Sequence, residues 1–111
     1  MFDAPTHMYK KHSGLFAGRP DPVWQVWYGW LQLLDYTLEQ LWWRMDAKDR
    51  AKTCITHIQA QDGELVIRGD YPVHCAELLD GMRDASGGLC VCCGRYAMHP
   101  GRLLPLCRSC A

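Results

Sequence analysis

The sequence CVCCGRYAMHPGRLLPLCRSC, residues 90–110, contains five of the chain's seven cysteines. Four of these five form two Cys-x-x-Cys pairs, which a thirteen-residue segment (94–106) separates. Two thiolates three positions apart reach one ion only if the backbone turns sharply between them, and Gly94 permits the positive φ that such a turn requires. The spacing predicts a structural zinc site whose ligands are Cys90, Cys93, Cys107 and Cys110.

Two other residues in this segment are alternative ligands. Cys92 places a fifth sulfur beside the first pair, so a shift in register would let it replace Cys90 or Cys93. His99, in the loop between the pairs, is a weaker substitute. Free cysteines in a reducing compartment are the other interpretation. A short tail with few apolar residues is held together poorly without a metal, and we therefore favour the zinc site.

The composition indicates one globular domain without net charge. The chain has 111 residues with 12 basic and 12 acidic side chains, and 49% of its residues are hydrophobic. This balance gives no long-range attraction to nucleic acid, and the apolar content excludes intrinsic disorder. Charged and amide residues interrupt the apolar stretches, so no membrane span is expected. Residues 1–5 lack the features of a signal peptide, and we expect a cytoplasmic protein.

Turn-forming residues divide the chain into three parts. Prolines and glycines among residues 1–20 predict an irregular N-terminal arm, which Leu15 and Phe16 would anchor. Residues 21–88 are expected to form an α+β core of helix, hairpin and helix. Residues 89–111 would add a zinc-ribbon-like knuckle that folds as one unit with this core.

A long amphipathic helix is predicted at the start of the core. Asp21 can cap this helix, Pro22 suits its first position, and apolar residues keep helical spacing up to Met45. Gly29 weakens the middle, so the alternative is a helix that begins near Tyr28 or bends there. The apolar stripe consists of Val23, Trp27, Trp30, Leu31, Leu34, Leu38, Leu41 and Met45.

A β-hairpin and a second helix follow the charged, helix-compatible segment 46–52. Asp62-Gly63 lies between the β-branched runs 54–60 and 64–68, which is the pattern of a hairpin with a type I′ turn. Pro72 opens a helix that continues to about Ala85. The residues expected to face inward are Val73, Ala76, Leu79 and Met82, with Leu78 as a further candidate.

A second metal site is not expected on these elements. Residues three apart on a strand point to opposite faces, so Cys54 and His57 converge only if a bulge intervenes. We interpret these two residues, together with His74 and Cys75, as structural side chains.

The first helix carries more apolar surface than one face can bury. Leu33, Tyr36 and Trp43 lie roughly 150° from the main stripe, on the side where polar residues are expected. Either another part of the chain covers these three residues, or they contact a partner. Together with the loop residues Arg95, Tyr96 and Arg102, they predict a surface that binds a larger protein. A second copy of the chain, which would give a homodimer, is the other possible partner.

An enzyme is not expected from this sequence. Four thiolates complete the tetrahedral shell of zinc, so no position remains for an activated water. The chain has no glycine-rich phosphate loop, no Gly-x-Ser-x-Gly elbow and no His-Glu-x-x-His helix. The zinc would therefore be structural, and the function that of a binding module.

Nucleic-acid binding is the alternative function. Residues 89–111 contain Arg95, Arg102 and Arg108 but no acidic residue, and the Tyr96 ring can stack on a base. Zinc with four thiolates carries about two net negative charges, which offset most of this positive charge. A protein partner is therefore favoured over nucleic acid.

From residue 28 to residue 111, the order of parts resembles a group of small, largely uncharacterised bacterial and phage proteins. The residues that carry the resemblance are Gly29-Trp30-Leu31-x-Leu33-Leu34-Asp35, Gly63-Glu64-Leu65-Val66-Ile67, Cys90-Val91-Cys92-Cys93-Gly94 and Cys107-Arg108-Ser109-Cys110. The chain departs from the group at Gln59 and Gln61, where the relatives carry basic residues, and at Cys110, which replaces a histidine. The resemblance implies the same order of elements and a zinc knuckle. Through an association with mobile elements it also implies an anti-defence role, such as that of an anti-CRISPR inhibitor.

Overall fold

The computed structural model describes residues 4–16, 23–97 and 104–110. These residues form four α-helices and one three-stranded sheet, and the fold belongs to the predicted α+β class. The helices are α1 (Ala4–Lys11), α2 (Leu31–Trp43), α3 (Ala47–Lys52) and α4 (Ala76–Ser86). The strands are β1 (Val23–Gln25), β2 (Cys54–Gln61) and β3 (Glu64–Asp70), in the order β1-β2-β3.

The first core helix is shorter than its apolar spacing predicts. Residues 23–25 form β1, and a 3-10 turn at Tyr28–Trp30 leads into α2, in agreement with the alternative start near Tyr28. The prediction of a helix over residues 23–27 was wrong, because residues 23–25 pair in parallel with β2 and this pairing overrides the helical spacing. Asp21 and Pro22 lie outside the described residues.

Most of the predicted stripe faces the core. Val23 and Trp27, which the shorter helix excludes, are exposed. The stripe residues that are buried are Trp30, Leu34, Leu38, Leu41 and Met45.

The N-terminal arm contains a helix, so the prediction of an irregular arm was wrong over residues 4–11. Pro5 lies in the first turn of α1, where its missing N–H costs no hydrogen bond. The predicted anchors are confirmed, because Leu15 and Phe16 are buried in the hydrophobic core. The arm is also held to α2, since Lys11 Nζ donates to Asp35 Oδ2 at 2.8 Å.

Strands β2 and β3 form the predicted hairpin. Asp62 and Gly63 have φ angles of 52° and 78°, as a type I′ turn requires. A β-bulge lies between Ile55 and His57. Within the described residues, this bulge brings no metal-ligating cluster together around Cys54 and His57.

The short helix α3 begins where the charged segment was expected to be helical. Its N-cap Asp46 accepts a hydrogen bond from the Asp49 backbone N–H at 2.8 Å.

Helix α4 packs against β3 and α2 and closes the core. A 3-10 turn at Val73–Cys75 precedes α4, and the predicted inward residues Leu79 and Met82 are buried. The prediction that Val73 faces inward was wrong, since this side chain is 91% exposed. The 3-10 turn buries Cys75 instead of Val73. No helix within the described residues has the length and apolarity needed to cross a membrane.

Candidate metal centre

The four predicted ligands meet at one point of the structure. The Sγ atoms of Cys90, Cys93, Cys107 and Cys110 all lie within 4.8 Å of one another. The Sγ atoms of Cys93 and Cys107 are 3.5 Å apart. A tetrahedral ion with metal–sulfur bonds of about 2.3 Å requires sulfurs roughly 3.8 Å apart. The donor set and its spacing therefore fit a four-coordinate thiolate metal site.

The first Cys-x-x-Cys pair is shaped by a tight backbone turn. Gly94 has a φ of 79°, and its N–H donates to the Cys90 carbonyl oxygen at 2.9 Å. An isolated antiparallel bridge between Leu89 and Tyr96 closes the turn, and the Cys90 N–H donates to the Arg95 carbonyl at 2.7 Å. These bonds hold the first pair in one compact turn.

The second pair forms a similar but looser turn. The Cys110 N–H donates to the Cys107 carbonyl at 3.2 Å. Pro105, just before this pair, accepts a hydrogen bond from the Val91 N–H at 3.0 Å. This bond aligns the second pair with the first.

Backbone amides around Cys90 favour its thiolate. Burial acts to raise the pKa of this thiol, but N–H groups of Cys107, Cys93 and Cys92 donate to its sulfur and lower the pKa to about 6. At Cys107 burial likewise acts to raise the pKa, and hydrogen bonds from Cys93 and Cys110 outweigh it, so the pKa is lowered. These bonds favour the thiolate forms of Cys90 and Cys107, and the thiolate is the form that binds a metal. At Cys110 the hydrogen bond with Cys107 raises the pKa. At Cys93 the Arg95 N–H acts to lower the pKa, but burial and hydrogen bonds with Cys107 and Cys90 outweigh it, so that pKa is raised too.

The knuckle, residues 89–97 and 104–110, docks on the turn that precedes α2. The Gly29 N–H donates to the Val91 carbonyl at 2.7 Å, and Trp30 Nε1 donates to the Leu89 carbonyl at 3.2 Å. Trp30 and Val91 are both fully buried. A Cβ atom on Gly29 would overlap the Cys90 carbonyl oxygen and lie 2.7 Å from the Gly94 nitrogen. Only glycine allows this approach of the two backbones.

Sequence reasoning missed this role of Gly29 and Trp30. Gly29 was interpreted as a weak point within a helix, and Trp30 as one residue of a core stripe. The available signal was the Gly29-Trp30 pair, but sequence spacing does not show which backbone approaches it.

The alternative ligands remain outside the cluster or outside the described residues. Cys92 is exposed, and it is not one of the four clustered sulfurs. Its place in the Cys90–Cys93 turn directs it to solvent. His99 lies outside the described residues, as does Arg102 from the predicted partner surface.

A groove of about 810 Å³ separates α2 from the knuckle. We call it the aromatic groove. Tyr28, Leu33 and Tyr36 line one side of it, and Leu89, Cys93 and Gly94 line the other. Tyr28 is 75% exposed and Tyr36 is 62% exposed, while Leu33 is partly buried against the core. Tyr28 was not among the residues predicted for this surface.

A second groove, of about 680 Å³, adjoins the first. Arg95, Tyr96, Arg108 and Ser109 line it, and we call it the arginine groove. Tyr96 is 87% exposed. The two grooves share Leu89 and Gly94, so they adjoin each other at these residues.

Trp43 does not belong to this surface. It lines a separate pocket with Lys11, Gly14 and Trp42, and its Nε1 donates to Glu39 at 2.9 Å. The six predicted partner-binding residues therefore divide. Leu33 and Tyr36 line one groove, Arg95 and Tyr96 line the next, Trp43 lies in a separate pocket, and Arg102 is outside the described residues.

Comparison with known proteins adds no family to this description. The sequence matches no protein-family model and no curated protein, and the fold matches no solved structure.

Proposed function

We propose that the chain is a non-catalytic module that binds structural zinc and docks on another protein. Zinc is the metal that four cysteines in two Cys-x-x-Cys pairs select most readily, because thiolates are soft ligands and zinc prefers a tetrahedral shell. Four thiolates occupy every position of that shell, which leaves no site for a reacting water or substrate. The metal would serve to hold the knuckle against α2.

The observation that carries the docking proposal is the exposure of Tyr28 and Tyr36 beside the metal site. Large aromatic side chains supply most of the binding energy in protein interfaces. These two rings flank the aromatic groove, and none of its lining residues is Asp, Glu, Lys or Arg. Apart from the metal-binding thiolate of Cys93, the groove carries no charged side chain, and its aromatic walls suit the apolar side chains of a protein partner.

Nucleic-acid binding is the second candidate, because Arg95, Tyr96 and Arg108 share one groove. Phosphate contacts and base stacking require this combination of side chains. The chain has equal numbers of basic and acidic residues, however, so the groove offers local rather than extended attraction to a polyanion.

The identity of the partner is a further part of the proposal. The resemblance of residues 28–111 to bacterial and phage proteins supports a larger bacterial protein or complex, including one that acts in host defence. Only this resemblance supports a bacterial partner, and capture from lysate tests that part of the proposal.

The test is capture of partners from bacterial lysate with the tagged, zinc-loaded protein, with and without nuclease. We expect one protein partner at equal yield in both samples, and about a tenfold or greater loss of yield for Tyr28→Ser combined with Tyr36→Ser. Val73→Ser is the matched control, because Val73 is exposed but lies outside both grooves. Partners that disappear with nuclease would favour the nucleic-acid candidate and contradict the docking proposal.

A further inference from the structure

The arginines of the knuckle have no acidic partner among the described residues. The ion pairs of the described residues are Lys11–Asp35, His12–Asp35, His74–Asp49 and Arg83–Glu64, and none of them includes Arg95 or Arg108. Both arginine side chains are exposed. The last acidic residue of the sequence is Asp84, so no Asp or Glu side chain follows in the knuckle segment.

These arginines are also not bound to the cysteine sulfurs. The hydrogen bonds at the Cys90 sulfur come from backbone N–H groups and from Cys93. Zinc with four thiolates carries about two negative charges near these arginines, but neither guanidinium group is hydrogen-bonded to the sulfur of Cys90 or Cys107. The two guanidinium groups therefore remain available to a ligand.

From these observations we propose that the partner presents an acidic and hydrophobic protein segment. This inference rests on the proposed docking function and specifies its ligand. The apolar side chains of the segment would enter the aromatic groove against Leu33 and Tyr36. Its carboxylates would reach Arg95 and Arg108 in the arginine groove, which adjoins the aromatic groove at Leu89 and Gly94.

A long polyanion fits this surface less well than a short acidic segment. Leu33 and Tyr36 also line a neighbouring pocket, whose charged residues are Arg44 and Glu77. A nucleic-acid strand that extended past Tyr36 would meet the carboxylate of Glu77 beside the guanidinium group of Arg44, so it would find no continuous basic track for its phosphates. An acidic peptide needs only the two charge contacts and gains the rest from apolar burial.

The experiment is a ¹⁵N–¹H shift titration of the zinc-loaded protein with three probes. The first is a short peptide that alternates glutamate with leucine or phenylalanine, and the second is the same peptide with glutamine in place of glutamate. The third is an oligothymidylate with the formal charge of the first peptide. We expect the glutamate peptide to shift the amides of Leu33, Tyr36, Gly94 and Tyr96, and the glutamine peptide to bind about five to ten times more weakly.

Variants separate this inference from the docking proposal. The Arg95→Gln and Arg108→Gln double variant should reduce affinity for the glutamate peptide to that for the glutamine peptide. Arg68→Gln, an exposed arginine on β3, should leave affinity unchanged. Equal binding of both peptides, tighter binding of the oligothymidylate, or no shifts in the grooves would overturn the inference. Suppose that the Tyr28→Ser and Tyr36→Ser variant captures no partner from lysate, whereas the double arginine variant captures it at full yield. The docking proposal is then supported and the acidic nature of the partner is contradicted.

Discussion

At Gly29 the backbones of the core and the knuckle lie in close contact. Its N–H bonds to Val91, and its missing side chain makes room for the Cys90 carbonyl. A methyl group here would meet backbone atoms, which cannot move aside as a flexible side chain would. One glycine therefore decides whether the knuckle can dock.

Gly29→Ala should destabilise the protein by about 2 kcal/mol or more, because the added methyl forces the two backbones apart. Chemical denaturation of the zinc-loaded protein measures the change. The matched control is Gly81→Ala in α4, where a Cβ would meet nothing within 4 Å. This control should stabilise the protein by roughly 0.5–1 kcal/mol, since alanine favours a helix interior. Equal effects of the two substitutions would contradict the close approach at Gly29.

Cys92 and Cys93 are neighbours with different expected roles. Cys93 belongs to the four-sulfur cluster and Cys92 does not. Cys93→Ser should therefore reduce zinc affinity by orders of magnitude, whereas Cys92→Ser should bind one zinc ion as the original chain does. Competition with a chromophoric chelator measures both affinities. Strong zinc binding by Cys93→Ser with loss in Cys92→Ser would indicate the shifted register instead.

At the scale of elements, Asp35 joins α1 to α2. Its carboxylate accepts from Lys11 at 2.8 Å, and His12 Nε2 lies 2.8 Å from its other oxygen. Burial acts to raise the pKa of Asp35, but the hydrogen bonds with Lys11 and His12 outweigh it, so the pKa is lowered. A carboxyl whose folded pKa is depressed stabilises the fold above its ordinary pKa, and this stabilisation disappears as pH falls through the folded pKa.

Asp35→Asn should lower the free energy of unfolding by about 1 kcal/mol near pH 7. The difference from the original chain should shrink as pH falls below about 4, because the carboxyl of the original chain then becomes protonated. Denaturation at a series of pH values measures it, and acid release of metal affects both proteins alike. Asp80→Asn, exposed on α4, is the control and should show no such difference. A difference that persists unchanged at low pH would exclude the ionic contribution.

The elements that the sequence predicted are those with strong local signals. The Asp62-Gly63 turn, the spacing of Leu34, Leu38 and Leu41, and the cysteine pairs each depend on a few neighbouring residues. The elements that it missed depend on distant contacts. Strand β1 exists because it pairs with β2, more than thirty residues later, and α1 is held by Asp35 of α2. Short segments of this kind have too few residues for periodicity to identify them.

The same distinction applies to the candidate site. The ligand positions follow from Cys-x-x-Cys spacing, and the structure brings those four sulfurs together. The aromatic groove does not follow from sequence spacing, because Tyr28 and Leu89 are far apart in sequence. They line the same groove only when the knuckle docks. Trp43 shows the converse, since its helical position suggested a shared surface that the structure places elsewhere.

At the scale of the whole molecule, the metal site and the fold should be coupled. The knuckle contributes Val91 to the core and covers Trp30 through Leu89. Removal of zinc should therefore loosen the tail and expose Trp30. The apparent free energy of zinc binding that is lost is on the order of 10 kcal/mol at neutral pH. Tryptophan fluorescence during chelation, with Trp30→Phe as the reference, follows this exposure. An emission spectrum unchanged by complete metal removal would argue against docking through Trp30.

The most direct test of the account is the zinc content of the reduced protein by native mass spectrometry, paired with thermal unfolding before and after chelation. We predict one zinc ion in the original chain and in Cys92→Ser, none in Cys107→Ser, and a clear fall in the unfolding temperature when zinc is removed. A Cys107→Ser protein that retains one tightly bound zinc ion and full thermal stability would contradict the assignment of the four cysteines as the structural metal site.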